Sequence, residues 1–353
     1  MAEKVLMKGN EAIAEAAILS GCRHYFGYPI TPQTEIAAYM AKRMPKIGGV
    51  FLQAESEISA INMVYGVAAS GKRVMTSSSS PGISLKSEGI SYLAGSDLPA
   101  LIVNVQRGGP GLGGIQPSQS DYFQATRGVG HGDMRLIVLA PSSVQEMADL
   151  TVKGFDLADQ YRMPAMILAD GTMGQMMEPV VLEAKDTAVF DKPWAANGHR
   201  DKRPHNIINS LYLDPEILEQ SNFARFERYR TVEEQEPMWE EYKMEDAEYC
   251  VVAFGITARV SKNAVDAARA QGIRVGMLRP ITLWPFPKKA ILAAAQKVKA
   301  FLSVEMSMGQ IKDDIELAAR CLKPVYLCNR VGGMIPSPEQ VLDKITEISA
   351  AQG

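Results

Sequence analysis

The chain has little cysteine, few aromatic residues, no surplus of positive charge and no long apolar run, and all but the second of these shortages remove a class of function. Its four cysteines, Cys22, Cys250, Cys321 and Cys328, never fall at the C-x-x-C spacing that nucleates a zinc site or an iron–sulfur cluster. Any chemistry that needs several thiolates must therefore come from another chain, and no metal site is expected here. Lys and Arg number 37 against 40 Asp and Glu, a net charge of −3, so no long-range positive field draws in phosphate backbones and nucleic acid is excluded as a partner. The N-terminal segment MAEKVLMKGNEAIAEAAILSGC mixes charged with apolar residues throughout. It has neither the block of a secretion signal nor that of a membrane span, and the expected location is the cytoplasm, with no membrane partner. Aromatic residues make up 7% while methionines number 19, a composition of adaptable packing surfaces that says little about function.

What is present can bury a core. Hydrophobic residues at 46% and charged residues at 22% over 353 positions are ordinary proportions for a folded chain, and the length suits two globular domains. Helix-period and strand-period segments alternate in the first half, the habit of a sheet covered by helices. Strands are expected at His24–Tyr28, Arg73–Ser77, Ala100–Val105, Leu136–Leu139 and Ala165–Leu168, and helices at Asn10–Leu19, Ser56–Ala69 and Val144–Tyr161. Pro29-Ile30-Thr31-Pro32 must be a loop, since two prolines deny it a regular ladder. From about Asp191 to Glu248 the composition turns polar, with a Glu/Arg-rich run over Glu219–Glu241, and reads as a solvated linker carrying a surface helix. Strands resume at Tyr249–Gly255, Val275–Leu278, Ala300–Val304 and Val325–Cys328. The expected division is a domain over 1–190, a linker over 191–246 and a smaller α/β domain over 247–353, without internal repeats.

Several motifs invite a function and fail on mechanism. Arg107 is followed by Gly108-Gly109-Pro110-Gly111-Leu112-Gly113-Gly114, a formal G-x-G-x-x-G, but a dinucleotide fingerprint needs a helix to open at once and here Gln116-Pro117-Ser118 follows. So many glycines suit a loop whose backbone approaches something closely. Arg107 at its base is placed to grip a carboxylate bidentately, the plain alternative being a structural salt bridge. Ala169-Asp170-Gly171 with Asn197 imitates the metal-anchoring motif of thiamine diphosphate enzymes, lacks its first glycine, and is a decoy. The four serines Ser77–Ser80 have no histidine or acid spaced near them as a nucleophile elbow would, and by composition they are a solvated turn. His131, between two glycines, is by itself a loop histidine.

The helix opening at Glu55 carries more information. Ile61, Val64 and Ala68 follow Glu57 at spacings of one helical face, so this carboxylate lies on the apolar stripe, whereas Glu55 aligns with Ser59 and Asn62. For Glu55 a solvated complement to the helix dipole is a sufficient account. Glu57 should be buried, and a buried acid resists ionisation unless a partner accepts or supplies a proton, which makes it a candidate acid/base residue.

Six ordered blocks together resemble the α subunit of 2-oxoacid:ferredoxin oxidoreductases over essentially the whole chain. They are Gly27-Tyr28-Pro29-Ile30-Thr31-Pro32, Gln53-Ala54-Glu55-Ser56-Glu57, Ser80-Pro81-Gly82-Ile83-Ser84-Leu85, Val105-Gln106-Arg107-Gly108-Gly109-Pro110, Leu278-Arg279-Pro280-Ile281-Thr282-Leu283-Trp284-Pro285-Phe286-Pro287 and Val304-Glu305-Met306-Ser307-Met308-Gly309-Gln310. Length and the first block look most like the subunit of the 2-oxoisovalerate enzymes, with the 2-oxoglutarate enzymes close behind.

The resemblance implies a parallel-sheet α/β domain that binds the pyrimidine half of thiamine diphosphate, followed by a smaller α/β domain like the C-terminal domain of transketolase. It places the diphosphate and Mg2+ on a β subunit and the [4Fe-4S] clusters on partner subunits, with a γ and a small ferredoxin-like subunit, ferredoxin as electron acceptor, coenzyme A as co-substrate and a small 2-oxoacid as substrate. Glu57 would hydrogen-bond the aminopyrimidine N1′ and promote its imino tautomer. Thr31 and Arg107 would orient the substrate carboxylate. Ser80 and Gly82 are candidate cofactor contacts, and Pro29, Ile30 and His131 candidate pocket walls. The block ending at Gln310 could touch a neighbouring subunit, although packing is the better account. Three other readings are 2-oxoglutarate as substrate, a transketolase-like carboligase without ferredoxin, and a non-catalytic subunit that keeps the fold.

Overall fold

The computed structural model of the protein describes residues 4–183 and 190–352. The expected spans 1–190 and 247–353 also include positions 1–3, 184–189 and 353, outside the described residues.

Strands and helices alternate along the whole chain. Lys4–Lys8 (β1) leads into Gly9–Leu19 (α1), then His24–Gly27 (β2), Thr34–Arg43 (α2), Val50–Gln53 (β3) and Glu57–Ala69 (α3). Val74–Ser78 (β4), Ser80–Gly95 (α4), Leu101–Gln106 (β5), Ile137–Leu139 (β6), Val144–Tyr161 (α5), Ala165–Asp170 (β7), Gly171–Gln175 (α6) and Met177–Val181 (β8) complete the first half. The second half runs Pro215–Gln235 (α7), Trp239–Tyr242 (β9), Tyr249–Val252 (β10), Gly255–Ala270 (α8), Val275–Pro280 (β11), Thr282–Trp284 (β12) and Lys288–Ala295 (α9). Ala300–Glu305 (β13), Gln310–Ala318 (α10), Val325–Asn329 (β14) and Pro338–Gln352 (α11) end it. Side-chain oxygens of Ser56, Ser143, Asp170 and Asp214 accept backbone N–H groups at the starts of α3, α5, α6 and α7.

The larger sheet has the order β12-β6-β7-β5-β4-β2-β3 and is parallel except for β12. Helices cover its central strands, so β4, β5 and β7 are buried along their whole length and read as unbroken apolar or small-residue runs. β3 lies at the open edge and leaves Val50 and Leu52 exposed, so its burial pattern does not alternate and the sequence gives no sign of it. The smaller sheet, β14-β13-β10-β11-β9, is parallel except for β9. The architecture is α/β in both parts.

One expectation is refined and one is corrected. The segment 191–246 is mostly exposed, and it is also tied to the body of the fold: α7 buries Arg225, Tyr229 and Val232, Arg225 donates to Asp97 Oδ1 at 3.1 Å and to the Gly95 carbonyl at 3.0 Å, and β9 joins the second sheet. Charged residues such as Arg225 and Glu240 serve partners distant in sequence, which composition does not show. The four serines are no solvated turn. Ser77 and Ser78 belong to buried β4, Ser79 is buried, and Ser80 opens α4 with Pro81 in its first turn, where a missing N–H is harmless.

The two halves are also stitched together. β12, from the second half, pairs antiparallel with β6 of the first sheet. Arg279, 3% exposed, donates from both terminal nitrogens to the Glu146 carboxylate at 2.9 and 2.7 Å, and from Nε to Glu240 at 2.7 Å. This gives the Leu278–Pro287 block a physical use as a fastener between α5, β9 and β11. Replacing the guanidinium by an apolar stem of similar length, in Arg279→Met, leaves both carboxylates without it. The expected loss is about 2–3 kcal/mol, since both acids keep some water. Thermal denaturation checks this, and an unchanged Tm would remove the fastening role.

Candidate functional site

Parallel strands place all their C-terminal ends on one edge of a sheet, and a crevice opens where the chain direction reverses. Here β2 is followed by β3 on one side and β4 by β5 on the other, so the switch point lies between β2 and β4. Four segments meet at this edge: residues 28–33 after β2, 54–57 after β3, 78–82 between β4 and α4, and 107–118 after β5.

Glu57 is the first residue of α3, which Ser56 caps by accepting the Ser59 N–H at 3.2 Å. It is 5% exposed, and it shares the buried stripe with Ile61, Val64 and Ala68, while Glu55 faces solvent. Among the described residues its carboxylate makes no hydrogen bond or ion pair. It rests against Gly82, where an added Cβ would lie 2.7 Å from Glu57 Oε1 and far inside contact distance of Ser78 Oγ. Only a residue without a side chain permits that approach.

On β4, α4 and the start of the loop after β5, five buried polar atoms lack partners among the described residues: Thr76 Oγ1, Ser78 Oγ, Ser79 Oγ, Lys86 Nζ and Arg107 Nε. Native interiors leave few such atoms, and a cluster of them at a crevice marks where the polar edge of a ligand docks. Lys86 is wholly buried on α4, and burial pushes its ammonium down to about 8, with the charge of Glu57 acting against that shift.

Ser80 has its hydroxyl engaged inside the fold. It donates to Asp121 Oδ2 at 2.6 Å and accepts the Arg107 N–H at 3.0 Å. Burial raises the Asp121 carboxyl, while hydrogen bonds from Ser80 and Asn104 hold it down. Ser80 therefore anchors the Arg107 backbone, and the free hydroxyls belong to Ser78 and Ser79, which sequence reasoning did not separate from the run. Their only sequence signal is position, at the last residue of a central strand and the one after it.

Arg107 is 8% exposed and has no ion pair among the described residues. Its terminal nitrogens donate to the carbonyls of Thr31 at 3.0 Å and Leu112 at 3.3 Å. The structural salt bridge is thus absent among the described residues, and the structure brings Arg107 and Thr31 together. Thr31 is exposed, beside exposed Pro29 and half-buried Ile30 on the same loop. Gln33 holds that loop: it donates to the Tyr28 carbonyl at 3.2 Å and accepts at 2.5 Å from Ser77, which also bonds Tyr25 at 2.7 Å. The glycine loop folds back on itself, Gly114 N–H donating to the Gly108 carbonyl at 2.9 Å, with no helix behind it.

Other candidates lie apart. His131 is exposed, and its carbonyl accepts from Ser91 of α4, roughly 13 Å along the helix from Gly82. It borders a separate recess with Tyr92 and Asp133, so the expectation that it walls the Glu57 pocket is corrected. Asp170 caps α6 by accepting the N–H groups of Thr172 and Met173 at 2.9 and 3.0 Å, and burial raises its carboxyl to about 6. Glu305 accepts from Ser303 at 2.8 Å and from the Ile311 and Lys312 N–H groups at 3.3 and 3.2 Å, so the Val304–Gln310 block is turned inward at this acid. A cleft of about 770 Å³ between the halves is lined by Glu146, Glu240, Arg259, Lys262 and Arg279, whose charges are paired with one another or with Glu178.

Comparison with known proteins gives these residues a context. A family model described as pyruvate flavodoxin/ferredoxin oxidoreductase, thiamine diphosphate-binding, matches residues 15–249, and one described as pyruvate:ferredoxin oxidoreductase core domain II matches residues 247–341. The chain is 53% identical over 347 residues to the ketoisovalerate oxidoreductase subunit VorB of Methanothermobacter marburgensis, covering 98% of this chain and 97% of that one. It is 37% identical over 388 residues to the 2-oxoglutarate synthase subunit KorA of Methanothermobacter thermautotrophicus, covering 99% and 100%. The solved 2-oxoglutarate:ferredoxin oxidoreductase from Magnetococcus marinus, with 2-oxoglutarate, coenzyme A and succinyl-CoA bound, superposes with a TM-score of 0.88 at 28% identity. That match covers 98% of this chain and 65% of the other, so this chain spans just under two thirds of that polypeptide. A split-gene transketolase, an inactive β4 tetramer, matches with a TM-score of 0.61 at 12% identity and shows a shared fold alone.

Gly82 supplies the test of this geometry. In Gly82→Ala the new methyl must displace Glu57 or Ser78, and overpacking of that kind lowers stability by about 1–3 kcal/mol. A crystal structure of the variant should show the Glu57 carboxylate moved from its place. An unmoved Glu57 with unchanged Tm would contradict the close packing described.

Proposed function

The chain belongs to the 2-oxoacid:ferredoxin oxidoreductases, and from that membership we propose that it provides the pyrimidine-binding half of a thiamine diphosphate site. The complex it serves converts a branched-chain 2-oxoacid of the 2-oxoisovalerate class to its acyl-CoA and CO2 and reduces ferredoxin. The observation that carries this reading is Glu57, a buried acid without a hydrogen-bond partner among the described residues, set against Gly82 at the switch point of a parallel sheet.

The residues present fit an aminopyrimidine. Gly82 lets Glu57 and Ser78 close against its backbone, and the hydroxyls of Ser78 and Ser79, unpartnered among the described residues, offer donors or acceptors to the edge of a heterocycle. Bound thiamine diphosphate supplies the electron sink that decarboxylation of a 2-oxoacid needs. Glu57 holds and exchanges a proton at the pyrimidine N1′. Arg107, whose Nε is unpartnered and whose charge no acid neutralises among the described residues, grips the substrate carboxylate beside the Thr31 hydroxyl. Ser80 and Asp121 keep the Arg107 backbone in place and exclude water from beneath it.

A β subunit carrying the diphosphate and Mg2+, and γ and small ferredoxin-like subunits carrying [4Fe-4S] clusters, complete this reading. The four cysteines here, two of them fully buried and none paired, agree with clusters held elsewhere. Among the described residues no helix is long and apolar enough to cross a membrane. Identity of 53% to a ketoisovalerate oxidoreductase subunit, against 37% to a 2-oxoglutarate synthase subunit, supports the branched-chain substrate.

In the complex copurified with its partners, Glu57→Gln should lower coenzyme A-dependent reduction of ferredoxin or viologen by about a hundredfold or more. A normal rate would overturn the role of Glu57. In a panel of 2-oxoacids the highest kcat/KM should fall to 2-oxoisovalerate. Because a methylene is worth only about 1–3 kcal/mol, its margin over straight-chain acids should be modest. A preference for 2-oxoglutarate would overturn the substrate class.

A further inference from the structure

Lys86 is the one buried lysine among the described residues, and none of those residues bonds its ammonium. Its place on α4 is specific. Gly82, Lys86 and Gly89 are spaced four and three residues apart, on one helix face, and that face meets α3: Gly82 abuts Glu57, and an added Cβ at Gly89 would meet Ile61. Helix side chains lean toward the N-terminus, so the stem of Lys86 lies over the turn that holds Gly82, where the Glu57 carboxylate rests. The two charges stand farther apart than an ion pair, yet Glu57 is the charge felt at Lys86.

The surroundings leave Glu57 as its counter-charge. α3 carries no other acidic or basic residue, only Tyr65, which is bonded to Ser96 at the far end of α4. β4 and β5 carry no ionisable side chain. On α4 itself Glu88 is bonded to Tyr92 at the exposed side. From the segment before β6, Arg127 is paired with Asp314, while His131 and Asp133 are exposed beside the C-terminal half of α4.

We propose that Lys86 is a positioning residue for the reaction, its buried ammonium holding the Glu57 carboxylate turned toward the pyrimidine crevice. This rests on the reading of Glu57 as the acid that meets the pyrimidine N1′. The position is thermodynamically unfavourable by itself, because desolvation of an unbonded ammonium works against folding. The lysine titrates near 8 in the fold against an ordinary 10.5, so between those values the folded chain binds fewer protons than the unfolded one. Stability therefore rises with pH across that window, and the full penalty is present below it. A residue that weakens the fold at neutral pH and has one charged neighbour, an acid in the crevice, is explained by what it does to that acid.

The experiment is a double-mutant cycle, K86M and E57Q alone and together, in the complete complex, read with and without cofactor. Without cofactor, K86M should raise Tm below about pH 8, and the gain should disappear above about pH 10.5. E57Q should lower Tm while Lys86 is present and leave it unchanged in the K86M background. With cofactor, K86M should lower kcat at least about tenfold with KM for the 2-oxoacid little changed. If K86M does not assemble, K86Q carries the same readings. An E57Q shift of equal size in both backgrounds, or wild-type kcat in K86M, overturns the proposal. Loss of rate in E57Q without coupling to position 86 removes the role of Lys86 and leaves that of Glu57. A normal rate in E57Q with the coupling intact removes the role of Glu57, and the catalytic meaning of the pair with it.

Discussion

The close approach of α3 and α4 is the constraint on which the candidate site depends. Two glycines on one face of α4, Gly82 and Gly89, let α3 settle until Glu57 and Ile61 touch the backbone of its neighbour. That contact leaves the Glu57 side chain only 5% exposed and without a hydrogen-bond partner among the described residues. A larger residue at either position would widen the helix pair, admit water beside the acid and turn it into the ordinary first-turn carboxylate that Glu55 already is.

The second half of the chain acts on this site through the loop that carries Arg107. Gln119 donates to the Phe254 carbonyl at 2.8 Å and accepts from the Met306 N–H at 3.0 Å and from Thr257 at 3.2 Å. Tyr122 donates to Asp314 at 2.6 Å, and Gln310 accepts the Phe123 N–H at 2.7 Å. Farther back along the loop, Gly108 lies against Gly332 and Gly333. The segment after β5 is therefore clamped from the second sheet while its first residue is tied to Thr31 across the crevice. Arg107 keeps its guanidinium in one place because both ends of its loop are held, which is what a group meant to orient a carboxylate requires.

Much of this was legible in the residues. Buried central strands announced themselves by their apolar cores, and the stripe Glu57, Ile61, Val64, Ala68 separated one acid from its neighbour two positions away. The family blocks implied roles at one site for Thr31, Glu57, Gly82 and Arg107, and the fold joins Thr31 to Arg107 and Glu57 to Gly82. Edge strands were invisible, since β3 and β9 alternate weakly and gain order from pairing rather than from apolar content. The serine run misled because small polar side chains look alike whether solvated or buried. Only the neighbours show that Ser80 is engaged by Asp121 and Arg107 while Ser78 and Ser79 stay free.

Periodicity and spacing by themselves determined the α/β alternation, the burial of Glu57 and the lack of cluster-forming cysteines, because each is a property of residues near one another in the chain. Tertiary structure decided the rest: that Lys86 is buried and unbonded among the described residues on the face of α4 that meets α3, that Arg107 bonds Thr31, that His131 belongs to another recess, and that β12 crosses back to the first sheet. These are contacts between segments tens to hundreds of residues apart. Their geometry follows from how glycines let two helices close and how parallel strands gather their ends on one edge, and neither can be read from a local pattern.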